Sequence, residues 1–193
     1  MTESNFDLAL LDQVVLAAST LFDARRQPLA LRLTVGPLRP DAVVDPASVL
    51  ALVDELAPPT AGPIVLDVAD ERAVCALAST ELAPNVWLEI PGFLVTDDEL
   101  AARLADRVAA GNRLVLRGRV PDGAPQGRWA LFRHAVVDRA NIRTPLPAGA
   151  GGQPPLRIYA GSDGPPMTLA ALRAGFDAVQ GWPVGDPPGR DSR

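Results

Sequence analysis

The stretch 64–116, IVLDVADERAVCALASTELAPNVWLEIPGFLVTDDELAARLADRVAAGNRLVL, decides the fold. Its first five residues, Ile64 to Val68, are short, apolar and β-branched enough for a buried strand. Asp70 to Leu82 follows with the spacing of an amphipathic helix. Val86 to Ile90 (VWLEI) is strand-like again, Thr96 to Ala110 is helical, and Leu114 to Leu116 extends into a third strand. Thr96-Asp97-Asp98-Glu99 reads as a capping box, and Gly111 stands where a left-handed residue closes a helix. Strand and helix alternate over short connections, a pattern that favours right-handed crossovers and a parallel sheet.

Working outward, Val14 to Phe22 is rich in strand formers, Asp23 to Arg26 is a polar turn, and Leu29 to Val35 alternates, so the chain opens with a hairpin. Asp45-Pro46 starts a helix, with Val49, Leu50, Val53 and Leu56 at helical spacing and Pro58-Pro59 stopping it. On the C-terminal side, one helical turn is expected at Trp129 to Phe132, strands at Ala135 to Val137 and Leu156 to Ala160, and a helix from Met167 to Ala174 ended by Gly175. A short strand at Ala178 to Val179 follows. Thr144 to Pro155 is a Pro/Gly-rich loop, and residues 187–193 read as a disordered tail behind a single domain over 1–186. The fold class is α/β. A barrel is favoured over an open doubly wound sheet, because no Gly-x-Gly-x-x-Gly turn follows the early strands.

Composition removes several chemistries. All 18 basic residues among the 193 are Arg, so a Schiff-base lysine and a P-loop lysine are excluded. His134 and Cys75 are each alone, too few for a zinc site of the Cys/His type and, for Cys75, for an internal disulfide. A net charge of −5 with dispersed Arg argues against a nucleic-acid polymer as partner. The start MTESNFDLALLDQ has no basic residue, and no apolar run approaches the ~20 residues of a membrane span. The expectation is a cytoplasmic protein without a membrane partner.

Five segments together resemble EAL domains, the bacterial phosphodiesterases of cyclic di-GMP. Leu21 to Leu33 (LFDARRQPLALRL) is similar to their opening hairpin, IVLDV to the strand ending in a metal-binding Asn, and VWLEI to their Leu-Glu-Ile strand. Gly111 to Leu116 stands where a helix-ending Gly leads into a strand with paired aspartates, and Leu172 to Trp182 (LRAGFDAVQGW) is similar to the C-terminal segment. The resemblance, over Leu21 to Pro187, implies a TIM-type (β/α) barrel. Here it is modified and partly reduced, because the connections are short and a loop at 144–155 replaces a barrel helix. Thinning of this kind is expected to bare apolar wall, which a second copy or another protein would cover.

The same resemblance implies a test of activity. The family's hydrolysis uses two divalent cations held by carboxylates and an Asn at the barrel mouth, with a Lys near the attacking water. The signature Glu falls on Arg32 and the Asn on Asp67. Glu89 is retained, while the second Glu of its motif falls on or near Gly92. The bridging aspartates fall on Arg117 and Gly118, the Lys near Val137 or Asp138, and a late Glu on Gly161, Ser162 or Asp163. Hard cations ask for about six oxygen ligands each, and a guanidinium repels them, so the chain is expected to be catalytically inactive and without a cofactor. Two readings of the remaining charges stay open: Arg32, Arg117 and Arg119 with Asp67, Glu89 and Gln180 bind an anionic nucleotide, or arginines and carboxylates pair as structural glue.

The other conspicuous residues favour ordinary roles. His134 lacks a neighbouring nucleophile motif, Cys75 sits in an apolar helix, and Asp97-Asp98-Glu99 suits a helix N-terminus. Trp87, Trp129 and Trp182 are too scattered for a stacking platform. The resulting expectation is a regulatory or protein-interaction module of bacterial signalling, as a homodimer or with a protein partner. Similar family members often precede a helical HDOD-type domain. The alternative is a non-hydrolysing receptor for cyclic di-GMP or another anionic nucleotide.

Overall fold

A computed structural model of the chain describes residues 13–39, 42–56, 58, 60–138, 146, 154–161 and 165–181. Eight strands close into a barrel in chain order: β1 (Val14–Asp23), β2 (Pro28–Pro37), β3 (Ile64–Val68), β4 (Val86–Pro91), β5 (Arg113–Arg117), β6 (Phe132–Val137), β7 (Leu156–Tyr159) and β8 (Ala178–Gln180). β1 runs antiparallel to both β2 and β8, and every other pair is parallel. The antiparallel entry follows from the turn at Asp23, whose carboxylate accepts from the Arg25 and Gln27 amides and lets Arg26 take a positive φ of 64°.

The α-helices are α1 (Pro46–Leu56), α2 (Glu71–Leu77), α3 (Asp98–Ala109) and α4 (Pro165–Arg173). Between β5 and β6 the connection holds only a 3-10 segment, Gln126–Leu131, and a second one, Gly92–Thr96, follows β4. The barrel is therefore reduced relative to one helix per crossover. The loop at 144–155 lies largely, and the tail at 187–193 wholly, outside the described residues.

Three details depart from the sequence reading. α2 ends at Leu77 rather than Leu82, because Ser79 and Thr80 turn their hydroxyls back onto the Cys75 and Ala76 carbonyls and the last turn tightens. α3 is capped not by Thr96 but by Asp97, whose side chain accepts from the Leu100 amide at 2.8 Å, while Thr96 bonds the Phe93 carbonyl. Its far end is a Schellman motif as anticipated: Gly111 takes φ 96°, and the Gly111 and Asn112 amides close on Val108 and Arg107. β6 starts at Phe132 instead of Ala135.

Apolar side chains sort by strand parity. Leu21, Ala30, Val65, Trp87, Val115, Val136, Ile158 and Ala178 fill the barrel interior as one cluster. Leu33, Val35, Leu66, Val68, Leu88, Ile90, Leu114 and Leu116 face outward against α1 to α3. The missing helix between β5 and β6 does not bare the wall as expected. Phe132, Ala135, Val137 and Tyr159 are all buried, with Trp129, Leu131 and Leu146 packed over this part of the wall.

Candidate functional site

One charged layer caps the apolar interior at the carboxyl ends of the parallel strands. Period-two alternation places it: along β2, Ala30 lies in the interior cluster, so Arg32 and Thr34 face the same way higher up. By the same rule Asp67 stands above Val65, Glu89 above Trp87, Arg117 above Val115 and Gln180 above Ala178. Residues from five strands thus converge on one mouth.

Arg32 is the centre of this layer. Its Nε donates to Glu89 Oε2 and its Nη2 to Glu89 Oε1, both at 2.8 Å, a two-point fork that uses both oxygens of a carboxylate with no exposure at all. The same Nη2 donates to Asp67 Oδ2 at 2.8 Å, which also accepts from the Thr34 hydroxyl at 3.1 Å. Nη1 reaches Gln180 Oε1 at 3.5 Å, and Gln180 Nε2 donates to Ser19 Oγ at 2.8 Å. Burial by itself would lower the Arg32 pKa, but the hydrogen bond to Glu89 and the charges of Glu89 and Asp67 raise it, so this guanidinium stays charged. Burial pushes the Glu89 carboxyl upward, against the pull of Arg32 and Arg117.

Arg117 is held more loosely. Its Nη1 lies 3.3 Å from Asp67 Oδ1 and its Nε 3.6 Å from Glu89 Oε1, distances of ion pairing rather than of good hydrogen bonds, and its side chain is 35% exposed. Asp67 Oδ1 is buried without a hydrogen-bond donor. Two arginines and two carboxylates leave the layer formally neutral. Arg119 does not join it: its guanidinium pairs with Asp122 at 2.6 Å on the surface.

The two divalent cations implied by the resemblance do not fit these residues. Both Glu89 oxygens and one Asp67 oxygen already accept from guanidinium, and a cation in reach of them would sit against two positive charges. Among the described residues no three His, Cys, Asp or Glu side chains stand together as a metal site. At Gly92, where a second Glu is implied, a Cβ would lie 2.3 Å from the Arg119 carbonyl oxygen and 2.6 Å from its carbon. Backbone fills that space. Val137 packs in the outer cluster with Tyr159, so the strand turns Val136 inward near the implied Lys, while Gly161 takes φ 106°. Ser162, Asp163 and Trp182 lie outside the described residues.

Below the apolar middle of the barrel, His134 stacks on Trp87 with ring centroids 4.7 Å apart, and Arg113 lies 5.1 Å from the Trp87 ring. His134 is buried with Nδ1 unbonded. Burial first, then the charges of Arg113 and Arg133, lower its pKa to about 4 against a weaker pull from Asp177. It is a neutral packing residue stacked on Trp87 and takes no part in the ion pairs of the mouth. Cys75 is partly buried against the core, and burial pushes its thiol up. Thr34 and Ser19, which complete the mouth, were not singled out in the sequence. The alternation of β2 could have found Thr34, since it shares a face with Arg32.

No family model and no curated protein matches the sequence. Solved structures do. The PaMucR phosphodiesterase in its cyclic di-GMP complex is similar over 96% of this chain and 97% of that one, with a TM-score of 0.57 at 13% identity. The EAL-like domain protein YdiV gives 0.55 at 13% identity, over 89% of this chain and 92% of that one. A standalone EAL protein from Vibrio cholerae O395 gives 0.55 at 12%, over 92% and 90%. The fold is that of EAL domains. At such identities the likeness carries the architecture and not the chemistry of the mouth. No helix of the described residues is long and apolar enough to cross a membrane.

Proposed function

We propose that this chain is a catalytically inactive domain of the EAL fold, working as a regulatory or protein-interaction module in bacterial signalling. The observation that carries the proposal is the Arg32 guanidinium, forked onto Glu89 and bonded to Asp67 where hydrolysis would need cations. A guanidinium supplies fixed positive charge and geometry, so it can hold the two strands' carboxylates together. It cannot lower the pKa of a water as a metal does. The layer keeps the shape of a mouth and has lost its means of activating a nucleophile. A second copy or a protein partner, an HDOD-type domain among the candidates, is the proposed recipient of whatever this domain transmits.

A second reading has an observation of its own. Arg117 is a third exposed and held by contacts of 3.3 and 3.6 Å, so it can turn toward an anion without breaking the Arg32 fork. That favours a receptor that binds cyclic di-GMP, or another anionic nucleotide, without turnover.

The experiment is incubation of the purified chain with cyclic di-GMP and Mg²⁺ or Mn²⁺, product being read by anion-exchange chromatography, alongside calorimetry with the same nucleotide. No linear product is expected. Turnover proportional to protein and abolished by Glu89→Gln would overturn the proposal. Binding without turnover that is lost in Arg117→Ala would select the receptor reading.

A further inference from the structure

One buried oxygen of the mouth lacks a donor. Asp67 is 3% exposed, and its Oδ2 accepts from Arg32 Nη2 at 2.8 Å and from the Thr34 hydroxyl at 3.1 Å. Its Oδ1 is buried as well and accepts no hydrogen bond. Arg32 Nε and Nη2 are committed to Glu89 and Asp67 Oδ2, and Nη1 is turned to Gln180. Arg117 Nη1 lies 3.3 Å from Oδ1, paired by charge but outside hydrogen-bond geometry, on a side chain that is 35% exposed. Native interiors leave few polar atoms in this state, and such an atom at a cleft points to a missing donor.

The charges of the layer restrict what can bring that donor. Arg32, Arg117, Asp67 and Glu89 sum to zero. A bare anion drawn to Arg117 takes the guanidinium away from Oδ1, supplies no donor, and adds negative charge beside two buried carboxylates. A bare cation serves Oδ1 but stands against two guanidiniums. A head group with a cationic donor and an anionic acceptor serves both partners and keeps the sum at zero. Because Nη1 and Oδ1 are 3.3 Å apart, its two charges have to lie close together.

We propose that the mouth binds the head of a free α-amino acid, the ammonium donating to Asp67 Oδ1 and the carboxylate accepting from Arg117. An ammonium has three N–H donors, and Thr34 Oγ1, whose proton goes to Asp67 Oδ2, keeps lone pairs for a second of them. Arg117 meets the carboxylate from a side chain already turned partly to solvent, while the Arg32 fork on Glu89 stays closed. The inference shares with the receptor reading only the freedom of Arg117, and it names a head group without net charge in place of a nucleotide.

The test uses the full chain. Its melting temperature is followed with glycine, L-serine, L-leucine, L-glutamate, L-arginine and L-phenylalanine, one for each class of side chain. At about 10 mM, at least one is expected to raise it by about 2 °C or more. For that amino acid, the N-acetyl derivative, which lacks the ammonium, and the amide, which lacks the carboxylate, are expected to give no rise. The same is expected of 4-aminobutyrate, whose two charges are held apart. Calorimetry is expected to show Arg117→Gln weakening the binding about tenfold or more. Should that variant misfold, the comparison of ligands on the parent chain decides. No rise with any of the six, or an equal rise with the acetylated or amidated form, overturns the proposal. Cyclic di-GMP run in parallel separates the readings: nucleotide binding without an amino-acid effect keeps the receptor reading and removes this one, and an amino-acid effect without nucleotide binding does the reverse.

Discussion

Replacing Arg32 by Met is the sharpest probe of the mouth. The substitution keeps much of the apolar stem and removes three charge-assisted hydrogen bonds of 2.8 Å, leaving Glu89, with no exposed surface, and Asp67, nearly buried, facing each other. Arg117 is then their only described cation, at 3.3 and 3.6 Å. Breaking a buried pair from one side costs about 3–5 kcal/mol, mostly the penalty of the charge left behind. Against a total stability of roughly 5–15 kcal/mol that is a large fraction. Removing both sides is different: Arg32→Met with Glu89→Leu and Asp67→Asn strands no buried charge, and Arg117 is exposed enough to be solvated. This triple variant is expected to recover most of the loss. Urea unfolding at pH 7, followed by the fluorescence of buried Trp87, measures both. Arg32→Met within about 0.5 kcal/mol of the parent, or a triple variant less stable than Arg32→Met, refutes the reasoning, because the guanidinium would then not be neutralising buried charge.

His134 carries a pH dependence of opposite location and definite sign. Its folded pKa is lowered from 6.5 to about 4, so the unfolded chain binds its proton first. The stabilisation is complete above pH 6.5 and is lost as pH falls toward 4, up to about 3 kcal/mol at ~1.4 kcal/mol per pH unit. His134→Phe, which preserves the stack on Trp87, is expected to flatten that part of the stability profile; an identical slope in parent and variant would disprove the assignment. At Gly92 a methyl group would meet the Arg119 backbone at 2.3 Å, whereas one at Gly127 meets nothing within 4 Å. Gly92→Ala is expected to lower the melting temperature by the equivalent of about 1–3 kcal/mol and Gly127→Ala to leave it nearly unchanged, with equal melting temperatures as the contrary result.

Much of the fold was legible because its signals are local. IVLDV, VWLEI and the helix closed by Gly111 each contain their own period and punctuation, and the structure places them as read. The misreadings have local physical causes too: two hydroxyl residues end α2 early, and one of two adjacent cap candidates wins because its carboxylate reaches the Leu100 amide. Of the site, Arg32, Asp67, Glu89, Arg117 and Gln180 were named from the sequence and converge, while Arg119 was named and does not, its nearer acid being Asp122.

By itself the sequence determined which chemical groups exist: no lysine anywhere, and arginine at the strand positions where carboxylates are implied. It determined the strands and most of the helices, since apolar period and turn residues act over a few neighbours. Only the tertiary structure decided who partners whom. Glu89 meets Arg32 across 57 residues and Gln180 meets Ser19 across 161, because closing eight staggered strands brings inward-facing positions to a common height. The closure also decided that backbone fills the space beside Gly92, a fact set by how strands stack in three dimensions and by nothing that a single segment contains.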